Sequence, residues 1–259
     1  MDPHPIGVFD SGIGGLSVVR ALQSLAPHER IVYFADTDWF PYGGRPEAEI
    51  RKRSFAIARR LMDAGCKLIV VACNTASAAA LKDLREAFPL PFVGMVPGLK
   101  SAASSSRHVV VLATPGTLRG ELYAEVEHRF ANGVRVVDVS GTNLAAIVES
   151  GLAGTATART AVRAVLGPAI EAGADTVVLG CTHYAFLAAD IATEFPGLAI
   201  IDTSEAVARH ALRVLADAGL EAPPNNEGGL DLIVSGDREQ FRTAMHSVGF
   251  AGEPAEAAS

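Results

Sequence analysis

The chain has 259 residues, 49% of them apolar and 20% charged, with a net charge of −7. This is the composition of an ordinary soluble globular protein with room for one large or two smaller domains, and it excludes a disordered or fibrous chain. The acidic balance and the lack of a Lys/Arg-rich run argue against nucleic acid as the main partner, and no apolar run approaches the roughly 18 residues that span a bilayer, so no membrane partner is expected.

The N-terminal MDPHPIGVFD passes directly into a predicted strand over 6–9, without the charged and apolar regions of a secretory leader, which makes the cytoplasm the expected compartment. That strand runs into FDSGIGGLSVVRAL, so Asp10 and Ser11 lie at a strand-to-helix turn whose glycines let backbone approach a ligand. It is not a dinucleotide fingerprint: Ser17 stands where the third glycine of G-x-G-x-x-G belongs, and no G-K-[ST] occurs for a phosphate loop. The plainer reading is a tight turn with a capping serine. After a second strand over 31–34 comes an irregular segment, DTDWFPYGGRP (36–46), in which Tyr42 and Gly43 either reach over a site or belong to an inert connection. Arg51, Lys52 and Arg53 read as a solvated helix face.

A third strand over 67–72 ends in Cys73 and a helical pattern, and further strands are predicted at 91–95, 108–113 and 134–139. Glu149, near the end of NLAAIVES, is a candidate catalytic carboxylate, against the ordinary reading of a solvated helix glutamate. The strand over 175–179 leads into GCTHY, which repeats the strand–cysteine–helix design of VVACNTA with Cys181 in place of Cys73. Strands at 198–201 and 230–234 follow, APPNNEGG (222–229) reads as a loop, and EPAEAAS (253–259) as a frayed tail.

Strands alternating with helix-period segments predict α/β architecture with parallel sheets covered on both faces, and nine strands are many for one sheet. VPGLKSAASSSR, with Pro97 and Gly98, marks a crossing between α/β units, and a return near Asp202 and Thr203 gives one domain from 1–97 plus 206–259 and another from 98–205. Each domain then carries one cysteine at the carboxyl end of a strand, where open α/β sheets bind ligands. The three cysteines (Cys66, Cys73, Cys181) form neither an even set nor a C-x-x-C pair, so free thiols are expected. A helix N-terminus behind each of Cys73 and Cys181 is expected to lower its pKa below the free value of about 8.5, with Asn74, Thr75, Thr182 and His183 as adjoining donors.

DSGIGGL (10–16), PYG (41–43), ACNTASA (72–78), VESG (148–151), LGCTHY (179–184) and SGDREQF (235–241) together resemble the glutamate racemases of bacterial cell-wall synthesis. The resemblance implies two doubly wound α/β domains with mostly parallel sheets facing each other across the active site, and interconversion of L- and D-glutamate without a cofactor. Cys73 and Cys181 would be the two acid/base thiols, with Asp10 and His183 as their auxiliary groups. Ser11, Tyr42, Gly43, Asn74, Thr75, Thr182 and His183, with Asp10, would bind substrate. Glutamate is the implied partner, and a homodimer is compatible with the family. Trp39 and Phe40 depart from the family habit before PYG, and Ala185 replaces the proline that commonly follows CTHY.

Four other readings compete. A racemase of a related acid such as aspartate shares the same motifs, because selectivity for side-chain length is not legible in sequence. A zinc site from Asp10, Cys73, Cys181 and His183 has acceptable ligand types but not the usual short spacing, so no metal is expected. A non-catalytic module could capture an anion at its helix N-termini. A pyridoxal phosphate enzyme would need one of Lys52, Lys67, Lys82 or Lys100, none in a convincing setting.

Overall fold

The structure, a computed structural model, describes residues 1–257. Its strands in chain order are β1 (Ile6–Asp10), β2 (Arg30–Ala35), β3 (Leu68–Val71), β4 (Phe92–Gly94), β5 (His108–Ala113), β6 (Arg135–Ser140), β7 (Thr176–Gly180), β8 (Ala199–Ile201), β9 (Gly229–Val234) and β10 (Ala255–Glu256). They form a six-stranded sheet in the order β10-β9-β2-β1-β3-β4 and a four-stranded sheet in the order β6-β5-β7-β8, with every pairing parallel. The fold is therefore two doubly wound α/β units, and all nine predicted strands are present.

The central strands are apolar on both faces, as strands covered on two sides must be. In β1, Ile6 and Val8 enter one core while Phe9 enters another; in β5, Val110 and Leu112 face the first core while Val109 and Val111 face a third. The first core is continuous from one sheet to the other, so the two units share buried apolar surface. The helices that cover the sheets are α1 (Leu16–Leu25), α2 (Glu47–Asp63), α3 (Asn74–Ala87), α4 (Leu99–Ser105), α5 (Pro115–Leu118), α6 (Glu121–Phe130), α7 (Leu144–Glu149), α8 (Ala156–Glu171), α9 (Ala188–Glu194), α10 (Ser204–Ala218) and α11 (Arg238–Ser247).

Strand order fixes where a site can form. From β1 the chain crosses to β2 on one side and later places β3 on the other, so the first sheet reverses its winding between β1 and β3. In the second sheet the same reversal falls between β5 and β7. The connections leaving neighbouring strands diverge at such a point and leave a crevice at the carboxyl ends. Asp10 and Cys73 lie at the first crevice, and Thr114 and Cys181 at the second.

Two local expectations, the frayed tail and the solvated Arg53, are corrected, and the crossing after Gly98 gains detail. The tail is not frayed throughout, because Ala255 and Glu256 pair with Ile233 and Val234 as an added edge strand; Ala258 and Ser259 lie outside the described residues. The serine-rich crossing after Gly98 is helical in α4, anchored by buried Leu99 and Ala102. Arg53 is no mere solvated residue: its guanidinium makes two bonds to the carboxylate of Asp36, which is itself fully buried.

Candidate active site

The first half of the site is built on the turn after β1. Asp10 is fully buried, and its Oδ1 accepts the Ser11 N–H at 2.7 Å while Oδ2 accepts the Gly15 N–H at 2.6 Å and the Thr182 hydroxyl at 3.0 Å. Its side chain also hydrogen-bonds Cys73, the residue that immediately precedes α3 in extended conformation. Burial raises the Asp10 pKa, against the opposing pull of His183 and of the hydrogen bonds from Cys73, Ser11 and Thr182.

Cys73 does not behave as a helix N-terminus alone would dictate. Burial, followed by the negative charge of Asp10, pushes its pKa well above that of a free thiol, and the Ala76 N–H at the start of α3 only partly offsets this. The expected lowering is thus overturned here, because desolvation and a neighbouring carboxylate outweigh a few backbone amides. Cys66 is raised to about 12 by burial alone, with no acid or base beside it.

The second half is built on the end of β7. Cys181 is followed by a 3-10 helix over Thr182–Leu187 and only then by α9, so its N-terminal neighbourhood is not the α-helical one the sequence suggests. Its sulfur lies 3.8 Å from His183 Nδ1, and His183 Nε2 lies 2.6 Å from Glu149 Oε1. The same Glu149 oxygen accepts the Ile13 N–H at 2.6 Å, which ties the end of α7 to the turn after β1. Burial opposes charge on His183, but its hydrogen bonds and charge interactions with Cys181 and Glu149 override that and hold its pKa well above the ordinary imidazole value.

These halves meet. Cys181 is close enough to Cys73 for its charge to contribute to raising the Cys73 pKa, and Thr182 reaches across to Asp10. Glycine is required at the junction: a Cβ on Gly12 would sit 1.8 Å from Glu149 Oε1, and one on Gly14 would sit 2.4 Å from His183 Nδ1 and 2.7 Å from Asp10 Oδ2. The close approach these glycines permit is therefore to the site's own side chains. Asn74 Nδ2 and Oδ1 are buried without a hydrogen-bond partner among the described residues, as expected of an amide whose partner is a ligand.

Tyr42 and Gly43 lie in a short 3-10 turn over Tyr42–Gly44, and the Tyr42 hydroxyl donates to Asp36 Oδ2 at 2.5 Å. Phe40 packs over His183 with ring centroids 5.6 Å apart, and a Cβ on Gly43 would lie 2.8 Å from Thr114 Cβ. The segment therefore spans from one unit to the other. Both thiols are buried, at 6% and 8% exposure.

The sequence pattern of the Asp/Glu/Hydantoin racemase family matches residues 7–211. The chain belongs to this family. It is 46% identical over 244 residues to the glutamate racemase of Herpetosiphon aurantiacus, covering 93% of this chain and 96% of that one. The glutamate racemase of Deinococcus radiodurans is 46% identical over 246 residues, covering 93% and 85%. Among solved structures, a glutamate racemase from Thermus thermophilus in complex with beta-chloro-D-alanine superposes with a TM-score of 0.87 at 37% identity, covering 100% of this chain and 98% of that one.

Asp10, Asn74 and Thr75 adjoin Cys73, Thr182 and His183 adjoin Cys181, and Ser11 and Glu149 bond Asp10 and His183 in turn. Tyr42 bonds Asp36, and Gly43 closes on Thr114. Sequence reasoning missed Thr114 and Thr117, whose hydroxyls lie 2.8 and 3.4 Å from Thr75 Oγ1. It also missed the Ile13 amide that holds Glu149. The signal for Thr114 was available, since TPG follows a predicted strand directly and so falls at a carboxyl end. No signal announced the Ile13 amide, which is a backbone group. Among the described residues no group of three or more His, Cys, Asp or Glu is arranged to hold a metal ion, and no helix is long and apolar enough to cross a membrane. Lys67 is engaged with Glu29 at 2.7 Å, just before β3 begins and so at the opposite end of that strand from Cys73.

Proposed function

We propose that the chain is a glutamate racemase using two thiols as alternating acid and base, with Cys73 and Cys181 on opposite faces of the substrate α-carbon. Removing a proton from one face and returning one to the other needs two groups in complementary protonation states. The observation that carries this reading is the pairing of two buried cysteines, each at the carboxyl end of a strand and each with its own proton-exchanging neighbour: Asp10 beside Cys73, and His183 backed by Glu149 beside Cys181. Because Cys73 is held as a thiol, it is the proton donor in the direction in which Cys181 accepts the α-proton. The reverse direction exchanges the roles, and Asp10, with its raised pKa, can then take up the Cys73 proton.

Ser11, Asn74, Thr75 and Thr182 supply hydroxyl and amide groups for the substrate carboxylates and ammonium, and the Tyr42–Gly43 segment covers them. Closing such a site excludes water and strengthens each of these interactions around a developing carbanion. The two thiols supply both acid and base, so the reaction in this reading calls for no cofactor. We assign residues 1–97 with 206–259 to one domain and 98–205 to the other, with the crevices at β1/β3 and β5/β7 facing each other. The family role is supply of D-glutamate for peptidoglycan, and a cytoplasmic homodimer is the form we infer.

Proton NMR of L-glutamate in deuterated water tests the reading. The α-hydrogen signal should vanish while D-glutamate accumulates, with no cofactor added. Binding without exchange would leave a capture module instead, and faster turnover of aspartate would reassign the substrate.

A further inference from the structure

A protein of net charge −7 repels its anionic substrate at long range, so the charge around the approach to the site matters. Three cavities open along the seam between the two units, none of them lined by Cys73 or Cys181 themselves, and they differ in sign. One, of about 400 Å³, carries the carboxylates of Asp38, Glu149 and Asp237 and no basic side chain. A second, of about 210 Å³, is lined by uncharged residues including Phe40, Thr114 and Tyr184. The third, of about 260 Å³, carries Arg45 and Arg119 against the single carboxylate of Glu47.

We infer that this third cavity is the vestibule through which glutamate reaches the thiols, and that Arg45 and Arg119 capture its carboxylates there. The inference rests on the racemase reading. Thr75, which adjoins the unpartnered Asn74 amide, lines this cavity, and its hydroxyl meets Thr114 at 2.8 Å. The walls come from both units, from Arg45, Glu47 and Thr75 on one side and from Gly116 and Arg119 on the other, so parting the units widens it. Arg45 is fixed in the mouth: its Nε donates to the Trp39 carbonyl at 2.9 Å, its guanidinium lies 4.8 Å from the Trp39 ring centre, and its Nη1 lies 3.9 Å from Glu49, which offsets part of its charge and leaves Arg119 as the freer cation. Trp39 is its platform. Arg119 is exposed, and its side chain makes no hydrogen bond or ion pair among the described residues, leaving its charge for a passing anion.

Steady-state kinetics of the full-length protein with both enantiomers, at low and at high ionic strength, tests this. A unit charge about 10 Å from its target in water-like surroundings is worth about a twofold change in affinity, and about 0.5 M salt screens it. R119Q should lower kcat/KM about two- to threefold at low ionic strength with kcat unchanged. R119E should lower it about four- to tenfold, R119K should match wild type, and all differences should close at high salt. D38N, at the acidic mouth, should change kcat/KM less than R119Q does. Equal kcat/KM for R119Q, R119E and wild type at low salt overturns the inference, as does a loss in R119Q that salt does not erase or a gain in D38N that exceeds the loss in R119Q. A wild-type protein with no glutamate turnover would instead sink the racemase reading itself.

Discussion

The two halves of the site solve one chemical problem with different electrostatics. Cys73 faces a carboxylate, Asp10; burial and that negative charge keep the sulfur protonated, while burial alone raises the carboxyl pKa. Cys181 faces His183, whose positive form is maintained by Cys181 and Glu149 despite complete burial. Duplicated local design therefore does not give duplicated chemistry. A strand, a cysteine and a following helical turn place the sulfur, and the neighbour that tertiary packing delivers decides which protonation state is stable.

The severest test removes either sulfur. C73A and C181A should each lower racemisation at least about a thousandfold in both directions, because loss of an essential acid or base removes a full proton-transfer step. Near-normal turnover in either variant would dissolve the division into two arms. Replacement by serine keeps a hydroxyl in place and should leave more activity than alanine.

D10N and E149Q separate the arms. Each should reduce kcat about ten- to a hundredfold with a smaller change in KM. With α-deuterated glutamate, the primary isotope effect should rise for one enantiomer in D10N and for the other in E149Q; a rise for the same enantiomer in both breaks the comparison. The pH profile adds a sign. Asp10 raises the Cys73 pKa, so in D10N the thiol is lost at lower pH and the limb due to Cys73 moves down. Glu149 raises the His183 pKa, so in E149Q the imidazolium is likewise lost at lower pH, and the limb due to His183 moves in the same direction.

G12A acts on the Cys181 arm alone. The added methyl must displace Glu149 from the Ile13 amide and from His183, which should mimic E149Q in its isotope asymmetry. It should also cost about 1–3 kcal/mol of stability by overpacking, readable in a urea titration. The smallest effect belongs to the link between the arms. T182V removes the hydroxyl that donates to Asp10 and should slow turnover about three- to tenfold, with most of that loss absent in a D10N background. Full additivity would mean that Thr182 acts on the substrate alone.

Much of this architecture was legible in the residues. All nine predicted strands are present because each is a short apolar run, most of them rich in Val and Ile, bounded by turn residues or helical segments. The paired cysteines stood out because each follows such a run. Less legible was anything that depends on a partner distant in sequence. Glu149 was a candidate catalytic carboxylate whose partners the sequence could not name, and α7 packs it against Ile13 and His183. Arg53 looked solvated until Asp36 was found buried beneath it.

The residues by themselves determined the alternation of strand and helix, the free thiols, and the placing of Cys73 and Cys181 at strand ends, because these follow from periodicity and local backbone preference. Only the tertiary structure decided the protonation of Cys73, the partner of His183, the need for glycine at 12 and 14, and the sign of charge around each cavity. Those depend on burial and on charges brought close from far along the chain, and neither quantity exists until the two sheets are packed together.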